Sequence, residues 1–286
     1  MSARNTLEER FTTHRGRRLR YLVGGSGPHM LLCHGFIGSA ENFSEWFDEL
    51  LPRRRLIVPD LPGFGASMPL TTRHHADELA DAALTAAHDA GAIEYDLGGL
   101  CLGAGVALAV QRRAPDPSRR LVLHTPLLAP HIVRRRFHAQ VRLMTAPGVF
   151  SAIVWLSRHR VVSDLYKRLL VEGTDAEASA AQLNFDNQRR AHPPAARQWL
   201  LDGLRRNDVD ELRRAGHPVL ILVAAGDRIV DAARMREAVA AAPNVQLAVI
   251  DQAGHAWNEA FVRKQLAAIV PFLGDRPIPG ASSAAA

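Results

Sequence analysis

Cysteine, lysine and aromatic side chains are all scarce in this 286-residue chain. The two cysteines, Cys33 and Cys101, are too few for a disulfide framework. Both lie in or just after strand-like segments of a chain with no export signal, so no structural disulfide is expected. No apolar run approaches the length needed to cross a bilayer. The first ten residues, Met-Ser-Ala-Arg-Asn-Thr-Leu-Glu-Glu-Arg, carry charge where a secretory signal has an apolar stretch. The expectation is a soluble, cytoplasmic protein without a membrane span. Aromatic residues make up 6% of the chain and do not interleave with basic ones, so nucleic acid is not an expected partner. His74, His75 and His88 lack metal-ligand spacing and are read as surface residues beside a helix, with no metal implied.

Positive charge is present, but unevenly. Lys167 and Lys264 are the only lysines, so the net +6 is carried almost wholly by arginine. Residues 127–215 hold 15 basic and 9 acidic side chains, and the remainder of the chain is balanced. Such a segment suits a solvated helical surface, or one that meets an anionic substrate or an acidic partner.

Short apolar runs alternate with helical patterns. Arg18–Val23 alternates and ends at Gly24-Gly25, as an edge strand does. Met30–Cys33, Leu56–Val58, Tyr95–Gly99, Leu121–Leu123, Val219–Ala224 and Val245–Ile250 read as strands. Helices are predicted over His75–Ala90, Leu102–Arg113, 232–241 and 257–272. This alternation predicts an α/β fold with a mostly parallel central sheet flanked by helices. Residues 127–215 break it, with helical patterns near 131–145, 149–171, 175–190 and 195–206 and no convincing strand. The expected division is a core of 1–126 and 216–275, an inserted helical lid of 127–215, and a disordered tail of small residues over 276–286.

Gly99-Leu100-Cys101-Leu102-Gly103 reads as a nucleophile elbow, G-x-S-x-G, with cysteine in place of serine. A strand turns sharply into a helix there, and flanking side chains would collide with neighbouring backbone. Asp227 follows the strand 219–224, and His255 follows the strand 245–250. Nucleophile, acid and histidine thus fall in order at three strand carboxyl ends, where open α/β sheets place their sites. The glycines at 98, 99, 103 and 105 do not fit G-x-G-x-x-G, so no dinucleotide or other cofactor is implied.

On these residues the chain resembles the α/β-hydrolase superfamily over roughly 17–126 and 216–273. Within it the chain looks like the cap-bearing branch with meta-cleavage-product hydrolases, proline iminopeptidase-like enzymes and cofactor-free haloperoxidases. His34-Gly35-Phe36 matches the family's oxyanion loop, and Asp60–Ser67 a second characteristic stretch. The resemblance implies Cys101 as nucleophile, His255 as base and Asp227 as its orienting acid, with the Phe36 and Leu102 amides as oxyanion donors worth about 3 kcal/mol each. The departure is the cysteine itself. Serine is usual, although dienelactone hydrolases, which lack such a lid, carry cysteine. A thiolate favours activated esters and thioesters over amides. The expected activity is hydrolysis of a small-molecule ester or thioester through an acyl-cysteine. Alternatives are an acyltransferase or cyclase acting on an activated or carrier-bound acyl group, with an acidic acyl carrier protein as candidate partner, and a non-catalytic binding scaffold. Trp155 and Trp257 are candidates for the substrate pocket; Trp199, Phe137 and Met144 are candidates to roof it, and these three and Trp155 are equally readable as lid-core packing. Cys33 is read as core, His34 and Asp60 as loop-fixing, and Asp231 as a helix cap.

Overall fold

The computed structural model describes residues 7–114, 118–146, 148–167, 178–214, 216–253 and 259–274. The strands are β1 (Leu7–His14), β2 (Arg17–Gly25), β3 (His29–Cys33), β4 (Arg55–Pro59), β5 (Tyr95–Leu100), β6 (Ser118–His124), β7 (Val219–Gly226) and β8 (Val245–Ala253). They form one eight-stranded sheet in the order β1-β2-β4-β3-β5-β6-β7-β8. The β1/β2 and β2/β4 pairs are antiparallel and every other pair is parallel.

Helices cover both faces. α1 (Ser44–Leu50) and α11 (Glu259–Leu273) pack on one; α2 (Ala76–Asp89), α3 (Gly103–Arg113) and α10 (Ala232–Val239) pack on the other. Successive strand residues point to opposite faces and so feed two cores. Leu31, Ile57, Leu97, Leu121 and Ile221 join the first core, while Met30, Leu56, Val58, Val122 and Leu222 join the second. Parallel strands buried on both sides need such continuous apolar runs. α2 turns Leu79, Ala80, Ala83, Ala86 and Ala87 inward, and these small side chains let it lie close to α3 and the sheet.

Between β6 and β7 the chain forms α4 (Arg135–Met144), α5 (Val149–Leu156), α6 (Arg160–Lys167), α7 (Ala178–Arg190), α8 (Pro193–Gly203) and α9 (Val209–Arg214). Among the described residues this stretch contains no strand longer than a single bridge, Val133 to Val230. Pro193 and Pro194 open α8, where their missing amides cost nothing.

Three sequence expectations change. Arg18–Val23 is not an edge: β1 lies outside it, pairing Leu7 with Gly24 through His14 with Arg17. β1 was hidden because an exposed edge strand with few apolar residues lacks a hydrophobic signature. The single helix expected over 149–171 is broken between α5 and α6 by a turn at Ser157–His159. His74 is not a surface residue. Its ring is buried, with Nε2 accepting from the Leu70 amide at 3.0 Å while its own amide donates to Gln198 Oε1 at 2.9 Å. His75 is partly exposed and His88 exposed, as expected. The tail expected over 276–286 lies outside the described residues.

Candidate active site

β5 ends at Leu100 and α3 begins at Gly103, leaving two residues for the reversal. Cys101 takes a φ of +52°, a conformation that a side-chain-bearing residue rarely adopts. Its amide donates to the His124 carbonyl at 2.9 Å, which pins the bend to the end of β6. A Cβ on Gly103 would lie 2.3 Å from the carbonyl oxygens of Cys33 and His34, and one on Gly99 would lie 2.6 Å from the Ala104 Cα. The sequence spells glycine at both places because helix, strand and loop touch there without a side chain between them. Cys101 itself is half-buried and free. Cys33, by contrast, is sealed in β3, and burial pushes its thiol up to about 12.

The loop after β3 passes beside Cys101: a Cβ on Gly35 would meet Cys101 Cβ at 3.3 Å. Phe36 follows, half-buried against the first core, with Ile37 next at a φ of +50°. Leu102 is buried at the start of α3, where the first amides of a helix have no partner within it. The loop is held from behind. His34 Nδ1–H donates to the Gly35 carbonyl at 2.8 Å, and Nε2 accepts from the Leu61 amide at 2.9 Å. That pattern requires the neutral ring, and burial pushes His34 below its ordinary value of 6.5. Asp60 is fully buried. Its Oδ1 accepts from the Ala40 amide, and its Oδ2 accepts from the Ala66 amide and from Arg20. Both residues fix loops, as the sequence suggests.

Asp227 lies one residue beyond β7 and is buried. Its Oδ1 accepts from the Ile229 and Val230 amides at 2.7 and 2.8 Å, and its carbonyl accepts from Arg134 Nε at 2.8 Å. Asp231 instead caps α10, accepting from the Ala233 and Arg234 amides. His255 and Trp257 lie outside the described residues, between β8 and α11. Trp199 of α8 packs edge-on to His34 and against Phe64, with centroids 6.0 and 5.1 Å apart, and is buried. α8 also reaches Leu102, since a Cβ on Gly203 would overlap that side chain. Phe137 packs half-buried against the first core, Met144 is half-buried, and Trp155 stands 59% exposed on α5 beside His159. Among the described residues no three histidine, cysteine or acidic side chains gather as metal ligands. A groove of about 610 Å³ touching Arg120, Gln246 and Phe272 lies at the opposite, amino-terminal ends of β6–β8.

Sequence reading missed one feature near Cys101. His124 is buried at the end of β6, and its Nε2 accepts from Gln265 Nε2 at 2.8 Å; Gln265 Oε1 in turn accepts from Trp46 Nε1 at 3.1 Å. This polar chain ties β6 to α11 and α1. Its signal was available: Gln265 lies midway between Phe261 and Ile269 on the buried stripe of α11.

The sheet order, the elbow and the loop beside it agree with a match to the α/β hydrolase fold family over residues 28–259. The chain belongs to that family. Among curated relatives of this hydrolase, the pimeloyl-[acyl-carrier protein] methyl ester esterase of Xanthomonas campestris is 29% identical, covering 82% of this chain and 90% of that protein. A 2-hydroxymuconate semialdehyde hydrolase of Pseudomonas putida is 30% identical, covering 76% and 75%. The solved structure of an E-2-(acetamidomethylene)succinate hydrolase superimposes with a TM-score of 0.77 at 22% identity, covering 94% of this chain and 99% of that one. At that identity the superposition speaks for the fold alone.

Proposed function

We propose that this α/β hydrolase cleaves an ester or thioester of a small acyl substrate through an acyl-cysteine on Cys101. The observation that carries the reading is the half-exposed thiol held at a φ of +52° beside the Gly35 loop. Strain of this kind is kept where a side chain has a task. In this reading the thiolate attacks the acyl carbonyl, and the Phe36 and Leu102 amides take the negative oxygen. His255 removes the thiol proton, passes it to the leaving alcohol or thiol, and then draws a proton from the water that releases the acid. Asp227, steadied by two amides on one oxygen, would use the other to orient His255. The helices of residues 127–215 serve as the lid over this site; α8 already contacts Leu102. The Xanthomonas relative, named for an ester linked to an acyl carrier protein, supports an ester bond as the target.

A second reading is acyl transfer. It is favoured by one observation, the cysteine at the elbow, because an acyl-thioester passes readily to amines and thiols. The test is product partition from an activated acyl ester, with and without an added amine. Cys101→Ala should lose at least about a thousandfold in rate. Acyl product formed only by water supports hydrolysis; product that follows the amine supports transfer. An unaltered rate in Cys101→Ala removes both.

A further inference from the structure

The outer face of α5 and α6 does not look like the surface of a water-exposed helix pair. α5 reads Val-Phe-Ser-Ala-Ile-Val-Trp-Leu and has no charged residue. It buries Phe150 and Val154, yet its other side is also apolar, with Trp155 59% exposed. α6 is inverted. Its Ser163 is buried, donating to Gln188 Oε1 of α7 at 2.6 Å, while Val161 and Leu165 stand 80% and 57% exposed. Leu143, near the end of α4, is 73% exposed as well. A surface helix ordinarily shows polar residues on its outer face, and an apolar outer face marks something to be covered.

The charge around this face indicates what covers it. Residues 142–160 carry three arginines and no acid. Arg142, Arg158 and Arg160 are exposed and sit beside or between the protruding apolar residues. A second copy of the chain would set this positive field against itself. An acidic protein would answer the arginines, but single side chains standing proud of the surface, such as Val161, need fitted pockets on a protein. A fluid anionic interface answers both: aliphatic and tryptophan side chains enter the acyl boundary while arginines stay with the head groups. α4 and α5 meet at 94°, and among the described residues no single helix is long and apolar enough to cross a membrane.

We propose that the outer face of α5 and α6 docks on an anionic lipid surface. α5 packs on α8, and α8 on Leu102, so docking would bring the lipid interface within two helix layers of Cys101. The proposal holds whether or not Cys101 is acylated.

The experiment is sedimentation of the full chain with vesicles of phosphatidylcholine alone and of phosphatidylcholine with phosphatidylglycerol. Binding is expected only to the anionic vesicles, and loss of it in about 0.5 M salt. Val161→Asp with Leu165→Asp should weaken it more than about tenfold, with hydrolysis of a soluble ester unchanged. Arg158→Glu should weaken it about fivefold or more. This second variant, checked for an intact melting transition, keeps the test open if the first fails to fold. No binding, equal binding to both vesicles, or binding indifferent to these substitutions overturns the proposal. So does a concentration-dependent dimer, or capture of a purified acidic acyl carrier protein in place of lipid, that the same substitutions abolish.

Discussion

The elbow around Cys101 and the outer face of α5–α6 lie within one chain and obey opposite rules. At the elbow, three backbone segments approach so closely that a single methyl group on Gly103 would lie 2.3 Å from two carbonyl oxygens. Almost no other sequence fits. On α6 a serine is inside, donating to Gln188, and a valine is outside, where packing within the chain does not ask for it. Rigid backbone contact fixes residues by shape. An exposed face is fixed only by what meets it, so its residues can be read only when they break the ordinary pattern.

The sharpest way to break this comparison is Gly103→Ala. The colliding atoms are backbone and cannot rotate away, so a loss of more than about 4 kcal/mol is expected, measured as the midpoint of urea unfolding. A wild-type midpoint would mean that the elbow is looser than its geometry implies. Next is Trp199→Ala, which empties the space between α8 and the His34–Phe64 pair. About 3–5 kcal/mol should be lost, since a large aromatic leaves a cavity as well as lost contacts.

Smaller, and dependent on pH, is the contribution of His34. Burial depresses its folded-state value below 6.5, so the unfolded chain binds the proton more readily. Stability from this ring is therefore fully present above pH 6.5 and is lost as the pH falls through the folded-state value. His14 and His74 are shifted in the same direction by burial. Melting temperature should fall on acidification below pH 6.5, and less steeply in His34→Gln than in wild type. Equal slopes would remove the neutral ring from its place behind the Gly35 loop. The least effect belongs to Val161→Ser, expected to change stability by no more than about 0.5 kcal/mol in vesicle-free solution. A large loss there would mean that α6 packs on something within the chain.

Much of this was legible in the sequence for physical reasons. Strands buried on both faces must be continuously apolar, so Met30–Cys33 and Val219–Ala224 announced themselves. The glycines at 99 and 103 announced the elbow because no side chain fits there. β1 was illegible because an edge strand exposed to water has no apolar code to display. The break between α5 and α6 was hidden because both helices are rich in apolar residues across the turn that separates them. His74 looked like surface because a histidine is polar in sequence, and only the Leu70 amide it accepts from reveals why it is inside. Cys101 and Asp227 stand just beyond β5 and β7, where the strand pattern of the sequence puts them, each in its own described environment. The polar chain from His124 to Trp46 needed three distant elements to meet, which no local window contains.

The central claim is that the thiol at the elbow becomes acylated. Intact-mass measurement after brief exposure to a panel of acyl thioesters and esters tests it most directly. One acyl group should appear on the wild-type chain, map to Cys101, and be absent from Cys101→Ala. Turnover of the same substrates with no acyl mass on Cys101, or with the adduct on another residue, would contradict it.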